Sequence, residues 1–483
     1  MTDRVRERRR WRSPDRAWSG LATALGLLVP LVASASLPAR VSATPSTHLR
    51  RYPYVTDVVG TSATINWATD LKQSSRVAYG QAGVESCTAH SVPATATSIN
   101  VNGVTESQWK ATLSVAPDTR YCYRVFLSTT DLLGSDASPA FWTQIPAGTT
   151  QPFTFAVFGD WGYDGAGFNQ DQANLMSQLS ASGARFAVMT GDTAYPGGSQ
   201  ANYGDLVQSG TNVSAVFGPK YWTVPGASLP VFATLGNHGQ RQAFLTNWPE
   251  SSAASSSGGR FQMDTYCCLN GTTSAKYPSV WYAFDAGNAR FYVLDAAWPD
   301  GNVGTERIYS DDYAYHWQPT DAEYKWLQSD LAAHPGVMKF AFFHFPLYAD
   351  SPNQGTEDID SDAYLQGSGS LEGLLANNGV RLVFNGHAHI YEQNARAALG
   401  EYTQVTGGGG APITPLTPCS AFDLYAIGWS SGGQSCGSAP TPTSVSQIYH
   451  FLLVTVNGTT VTVRAVGENG AVFDETTYDF SSS

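Results

Sequence analysis

The chain has 483 residues, 42% hydrophobic and 14% charged, with a formal net charge of -12. That is enough apolar material for two or three domains with a large core, and it excludes a disordered chain and a small disulfide-stapled scaffold. An aromatic share of 12%, with 13 Trp and 24 Tyr, fits a protein built largely of strands and ordered loops and excludes a coiled coil or fibrous repeat.

The first 43 residues are basic, so the rest of the chain is more acidic than the whole and should repel nucleic acid and anionic membranes. Arg8, Arg9, Arg10, Arg12 and Arg16 lead into an apolar stretch from Leu21 to Ala35, followed by Val41-Ser42-Ala43, a small-residue cleavage pattern. Residues 1–43 are therefore expected to be a secretory signal, the apolar stretch being shorter than the ~20 residues a spanning helix needs. The mature protein is expected to be secreted, extracellular or periplasmic, with no membrane anchor. Its six cysteines then become disulfide candidates. Cys87 with Cys122 and Cys419 with Cys436 are the simplest local pairs. Cys267 and Cys268 either close a ring on each other or each reach a distant partner.

From residue 49 to 149 the chain consists of short alternating runs separated by turn residues, such as Ala63-Thr64-Ile65-Asn66-Trp67 and Tyr121-Cys122-Tyr123-Arg124-Val125. Period-two alternation at this spacing predicts a β-sandwich, and the surroundings of Trp67 and Tyr123 resemble a fibronectin type III module. No cluster of titratable or nucleophilic residues lies there, so a structural or docking role is expected.

Residues 150–480 read differently, as apolar runs that each stop at a polar cluster. Phe155 to Phe158 precedes Gly159-Asp160, Phe186 to Met189 precedes Gly191-Asp192, and Val231 to Leu235 precedes Gly236-Asn237-His238. Phe340 to Phe343 precedes His344, and Val380 to Phe384 precedes Asn385-Gly386-His387. Such runs predict strands buried on both faces. Helices are predicted between them at about 169–182, from a capping box at Thr320-Asp321-Ala322-Glu323, and at about 371–378 before the C-capping Gly379. Residues 445–480 should add closing strands with turns at Asn457-Gly458 and Asn469-Gly470. The second domain is thus α/β, and a ligand site is expected off the carboxyl ends of its strands, where the five polar clusters would converge.

Each cluster alone is a common turn or loop sequence, but together they supply two Asp, one Asn, three His and Tyr195. These are oxygen and imidazole donors of the kind that hold two transition-metal ions. The five blocks, in this order and over nearly all of the mature chain, resemble the metallophosphoesterases and, within them, the purple acid phosphatases. Tyr195, in Gly191-Asp192-Thr193-Ala194-Tyr195, is the most specific element of the likeness. The resemblance implies an N-terminal β-sandwich followed by a four-layer α/β/β/α catalytic domain. It places Fe(III) on Asp160, Asp192, Tyr195 and His389, and a divalent Zn, Fe or Mn on Asp192, Asn237, His344 and His387, with Asp192 bridging. It implies that a metal-bound hydroxide attacks small-molecule phosphate monoesters at acidic pH, with His238 as the catalytic residue facing the substrate. Action mainly on phosphodiesters or nucleotides is the alternative.

The sequence departs from the family pattern at three points. Gly239 stands where the family usually has an acid after the Asn-His pair, and Ala341 stands where it has valine. No histidine occurs from Phe345 to Leu365, leaving Tyr348 or His316 as candidates for a second substrate-facing group. The acidic run Asp358 to Asp362 reads as a solvated loop, and Gly407 to Gly410 as backbone passing close to the metal site.

Overall fold

The computed structural model describes residues 46–163, 169–207, 216–218, 223–224, 227–238, 242–267, 273–297, 317, 319–351, 365–396 and 401–481. The signal segment, Gly239, Cys268, His316 and the Asp358 to Asp362 run lie outside the described residues. Residues 43–483 group as one compact unit.

Near the N-terminus, two sheets share one core. Trp67 and Trp109 face each other across antiparallel strands Ser62–Thr69 and Val104–Ser114, with ring centroids 6.4 Å apart. Val77, Tyr123, Val125 and Phe141 from the second sheet pack onto them. The predicted Cys87–Cys122 disulfide ties the second sheet to the loop before strand His90–Pro93.

The strand Leu49–Val59 does not end this module. Its other edge pairs in parallel with Pro230–Ala233, matching Val55 to Pro230 and Thr56 to Val231. A single ten-stranded sheet therefore runs from the N-terminal module into the α/β region, across the boundary expected at residue 149. Arg51 sits at this junction and is fully buried. A buried guanidinium must have acceptors for its N–H groups, and these are supplied from both sides of the boundary. Nε donates to the Gly204 carbonyl at 2.9 Å, Nη1 to Asn247 Oδ1 at 2.8 Å and Gln108 Oε1 at 3.2 Å, and Nη2 to Gln200 Oε1 at 2.9 Å.

The α/β region is four-layered, as the sequence implies. In the first sheet, Phe153–Phe158, Ala187–Met189 and Pro230–Ala233 run parallel and side by side. In the nine-stranded second sheet, Ala289–Val293, Met338–Phe342, Val380–Asn385 and Glu401–Thr406 do the same. The two sheets meet face to face through phenylalanines: Phe155 lies 5.0 Å from Phe291 and 5.6 Å from Phe340, ring centre to ring centre. The uninterrupted apolar runs are explained by this geometry, because both faces of each strand are covered. Leu327 and Leu331 of helix Ala322–Ala333 and Leu371, Leu374 and Leu375 of helix Leu371–Asn377 cover the outer face of the second sheet over Ala341 and Val383. Helix Gln170–Ala181 packs Ala173, Met176 and Leu179 against the first sheet's core.

Two helix boundaries follow their caps. Asn169 caps the Gln170–Ala181 helix by accepting from the Gln172 N–H. The helix expected to be capped at Thr320 is capped one residue later, where the Asp321 carboxylate accepts from Glu323 and Tyr324 N–H. A charged acceptor at the positive end of a helix outcompetes the hydroxyl before it. The strands His450–Asn457, Thr460–Gly467 and Val472–Asp479 close the first sheet as an antiparallel edge.

Candidate metal centre

The five polar clusters meet where the strands of the two sheets end. Asp160 follows Phe153–Phe158, Asp192 follows Ala187–Met189, Asn237 follows Pro230–Ala233, His344 follows Met338–Phe342, and His387 and His389 follow Val380–Asn385. Four of these residues are held in the left-handed region, Asp160 at φ +55°, Asp192 at +48°, His387 at +72° and His389 at +52°. Non-glycine residues there cost on the order of 1–3 kcal/mol each, a strain that persists where surrounding structure imposes it and that clusters at functional sites. The glycines of the motifs make room for the convergence. A Cβ on Gly191, itself at φ +104°, would lie 2.4 Å from His344 Nδ1, and one on Gly236 would lie 2.2 Å from the Asp192 nitrogen. Gly409 N–H donates to the Gly159 carbonyl and Ala411 N–H to that of Asp160, so the glycine-rich segment passes against this turn.

Two groups of donors share Asp192. On one side the Tyr195 hydroxyl lies 2.9 Å from Asp192 Oδ2, 3.2 Å from Asp160 Oδ1 and 2.9 Å from His389 Nε2. Asp160, Asp192 and His389 each offer a ligand atom within 4.8 Å of the others. On the other side His344 Nε2 is 2.8 Å from Asn237 Oδ1 and 3.4 Å from Asp192 Oδ2. The His387 ring lies 5.1 Å from that of His344 and 4.5 Å from Phe345, centre to centre. His238 donates its backbone N–H to Asp192 Oδ1 at 2.8 Å, and its Nε2 lies 3.8 Å from Asp192 Oδ2. Its Nδ1 is hydrogen-bonded to the Pro196 carbonyl, which keeps the neutral ring's proton on Nδ1 and turns Nε2 toward the cluster.

The electrostatics of the site are at odds with its geometry unless positive charge is present. Burial alone would raise the Asp192 carboxyl, but His344 and His238 hold it well below the usual carboxylate range. Burial disfavours a charged His344, yet the Asp192 charge and hydrogen bond raise its imidazole to about 9. His387 is driven well below its ordinary value by burial and by the neighbouring His344. Burial and the charges of Asp192 and Asp160 push the Tyr195 phenol well above its ordinary value. One phenolic proton cannot serve three acceptors at 2.9–3.2 Å, whereas a cation among them would satisfy all four donors. The donor chemistry fits as well: carboxylates and a phenolate suit a hard cation, and imidazoles with an amide oxygen suit a softer divalent one.

Two orienting contacts carry no side-chain signal in the sequence. The Thr190 carbonyl accepts from His344 Nδ1 and the Pro412 carbonyl from His389 Nδ1, each at 2.8 Å, which fixes both rings with Nε2 facing inward. Tyr348 is turned to other work, its hydroxyl donating to Glu372 at 3.0 Å.

Residues 153–391 match the family described as calcineurin-like phosphoesterase. That match spans just under half of the chain. The chain is 24% identical over 348 residues to Purple acid phosphatase 1 of Ipomoea batatas, covering 69% of its own length and 60% of that relative's. Its fold matches that of a purple acid phosphatase from yellow lupin (Lupinus luteus) seeds with a TM-score of 0.60 at 15% identity, over 89% of this chain and 74% of the lupin one. The expected resemblance to purple acid phosphatases is therefore shown.

Proposed function

We propose that this phosphoesterase is an exported acid phosphatase that hydrolyses small phosphate monoesters at a dinuclear Fe(III)–M(II) centre, M being Zn, Fe or Mn. The observation that carries this reading is the Tyr195 hydroxyl in contact with Asp160, Asp192 and His389 at once. In it, Asp160, Asp192, Tyr195 and His389 hold the ferric ion, and Asp192, Asn237, His344 and His387 hold the divalent one. Two such ions supply Lewis-acid activation of the ester and of water.

The chain's own residues then have separate tasks. Asp192 bridges the two donor groups and holds the His238 backbone. Thr190 and Pro412 keep His344 and His389 in one tautomer. His238, with Nε2 toward the cluster and its side chain 21% exposed, is placed to hold a phosphate oxygen or to give a proton to the leaving alkoxide. Two disulfides, Cys87–Cys122 and Cys419–Cys436, support an oxidising compartment. Among the described residues no helix is long and apolar enough to cross a membrane. Residues 49–149 are read as a fibronectin type III-like module and 150–480 as the catalytic domain, closed by strands within 445–480, with one sheet shared between them.

The diesterase reading is kept by the absence of a histidine from Phe345 to Leu365. Rates on a monoester and a diester of the same leaving group decide between the two. At least a tenfold preference for the monoester below pH 6 is expected, and a preference for the diester would overturn the assignment.

A further inference from the structure

A second cluster of oxygen donors lies outside the site described above. Asp350, Glu392 and Asp423 come from three separate segments: the loop after His344, the strand Tyr391–Arg396 that follows His389, and the strand Asp423–Trp429. Their carboxylate oxygens lie within 4.8 Å of one another. Glu392 is fully buried and Asp350 is 8% exposed, while Asp423 is partly open to solvent. Among the described residues, no Lys, Arg or His is paired with any of the three.

Hydrogen bonds shape the cluster without neutralising it. Asp350 N–H donates to Glu392 Oε2 at 2.7 Å. The Ser420 N–H serves Asp350 Oδ2 at 3.0 Å and Asp423 Oδ2 at 2.8 Å, and the Ser420 hydroxyl donates to Asp423 Oδ1. Three carboxylates at this separation repel one another when ionised, and a cation or protons must relieve that repulsion. Accordingly, burial and the neighbouring carboxylates push Asp350 up to about 7 and Glu392 up to about 8.

Asn394 supplies an independent observation. It is 1% exposed, and it stands directly opposite Asp423 in the antiparallel pairing and two residues from Glu392, so all three share one face of the sheet. Its Nδ2 donates to Glu392 Oε1 at 2.6 Å, which sets the amide against the cluster, and its buried Oδ1 has no hydrogen-bond partner among the described residues. A buried amide oxygen without a donor is destabilising unless something else satisfies it.

We propose that Asp350, Glu392, Asp423 and the Asn394 side-chain oxygen form a structural site for a divalent cation of the calcium class. The donor set is all hard oxygen with no imidazole or thiolate, which selects Ca²⁺ over Zn²⁺ or Cu²⁺, and the partly exposed Asp423 leaves room for water to complete the coordination. The cation ties together three segments near the catalytic centre. Ser351, beside Asp350, is hydrogen-bonded to Thr414 at 2.7 Å, and Thr414 in turn donates to the Ala388 carbonyl and to that of His389. The site thus braces the turn that carries His387 and His389. The Cys419–Cys436 disulfide lies beside Asp423, its sulfurs within 4.8 Å of the carboxylate.

The test uses the full protein with its catalytic metals in place, dialysed into calcium-free buffer at pH 7.5, and ⁴⁵Ca²⁺ alone as the probe. Equilibrium dialysis is expected to give one Ca²⁺ per chain in the wild type, and at least tenfold weaker binding in Glu392→Gln and Asp423→Asn. Calcium should also raise the Tm of the wild type by a few degrees and leave that of Asp423→Asn unchanged. Asp423, at the rim, keeps the test readable if the buried Glu392→Gln does not fold. No binding at millimolar calcium, or binding that neither variant weakens, overturns the proposal. So does a Tm that ignores calcium and rises only on acidification, which would mean that protons occupy the cluster.

Discussion

The two donor groups that share Asp192 differ in charge more than in position. The Tyr195 side brings two carboxylates, a phenol and one imidazole. The His344 side brings two imidazoles and an amide around the same bridging carboxylate. The first is rich in negative charge, and burial with the charges of Asp192 and Asp160 pushes the Tyr195 phenol well above its ordinary value. The second brings no negative charge apart from Asp192, and its two histidines are driven in opposite directions, His344 up to about 9 and His387 well down. On the proposed reading, one protein surface would hold two cations of unequal hardness through the choice of donors rather than of distances.

The largest expected effect comes from breaking what the two sides share. Asp192→Asn removes the bridging charge and weakens the acceptor that positions the His238 N–H. Activity should fall by at least about 10³-fold, or ~4 kcal/mol in barrier, with loss of both metals by elemental analysis. A smaller effect is expected from His238→Ala, which touches neither donor group as a ligand. Metal content should stay intact while kcat on a monoester falls by about 10²-fold. Loss of metal in that variant would place His238 among the ligands instead.

The smallest effect concerns the junction between the N-terminal module and the catalytic sheet, away from both donor groups. Burial and the facing Asp205 raise Glu106 from its ordinary 4.5 to about 8. Because the folded-state value lies above the unfolded one, this group's contribution is fully present below about pH 4.5 and is lost as pH rises through 8. Glu106→Gln should therefore flatten that decline, gaining on the order of 2 kcal/mol relative to the wild type above pH 8 and little at pH 5. Denaturant unfolding at the two pH values measures it. An equal effect at both would remove the titration from the account.

The chemistry of the catalytic site was legible because each donor directly follows a buried strand. Runs such as Phe340 to Phe343 and Val380 to Phe384 show where chain ends must gather, and His344 and His387 come next in sequence. What orients them was not legible, since Thr190 and Pro412 act through backbone carbonyls that every residue has. The shared sheet left only a faint trace. Tyr52 to Val58 is buried on both faces instead of alternating, which a free sandwich edge does not require. The acidic cluster left none, because Asp350, Glu392 and Asp423 are brought together by register and a disulfide loop rather than by spacing. Fold-level reading succeeds where periodicity and burial coincide, and it stops where a contact depends on tertiary placement alone.

Whether Tyr195 binds ferric iron is decided by the visible absorption spectrum of the purified protein, taken with its metal content. Two metals per chain, one of them iron, with a tyrosinate charge-transfer band that disappears in Tyr195→Phe, are the predicted result. A colourless protein holding two zinc or manganese ions, or a band that survives Tyr195→Phe, would contradict it.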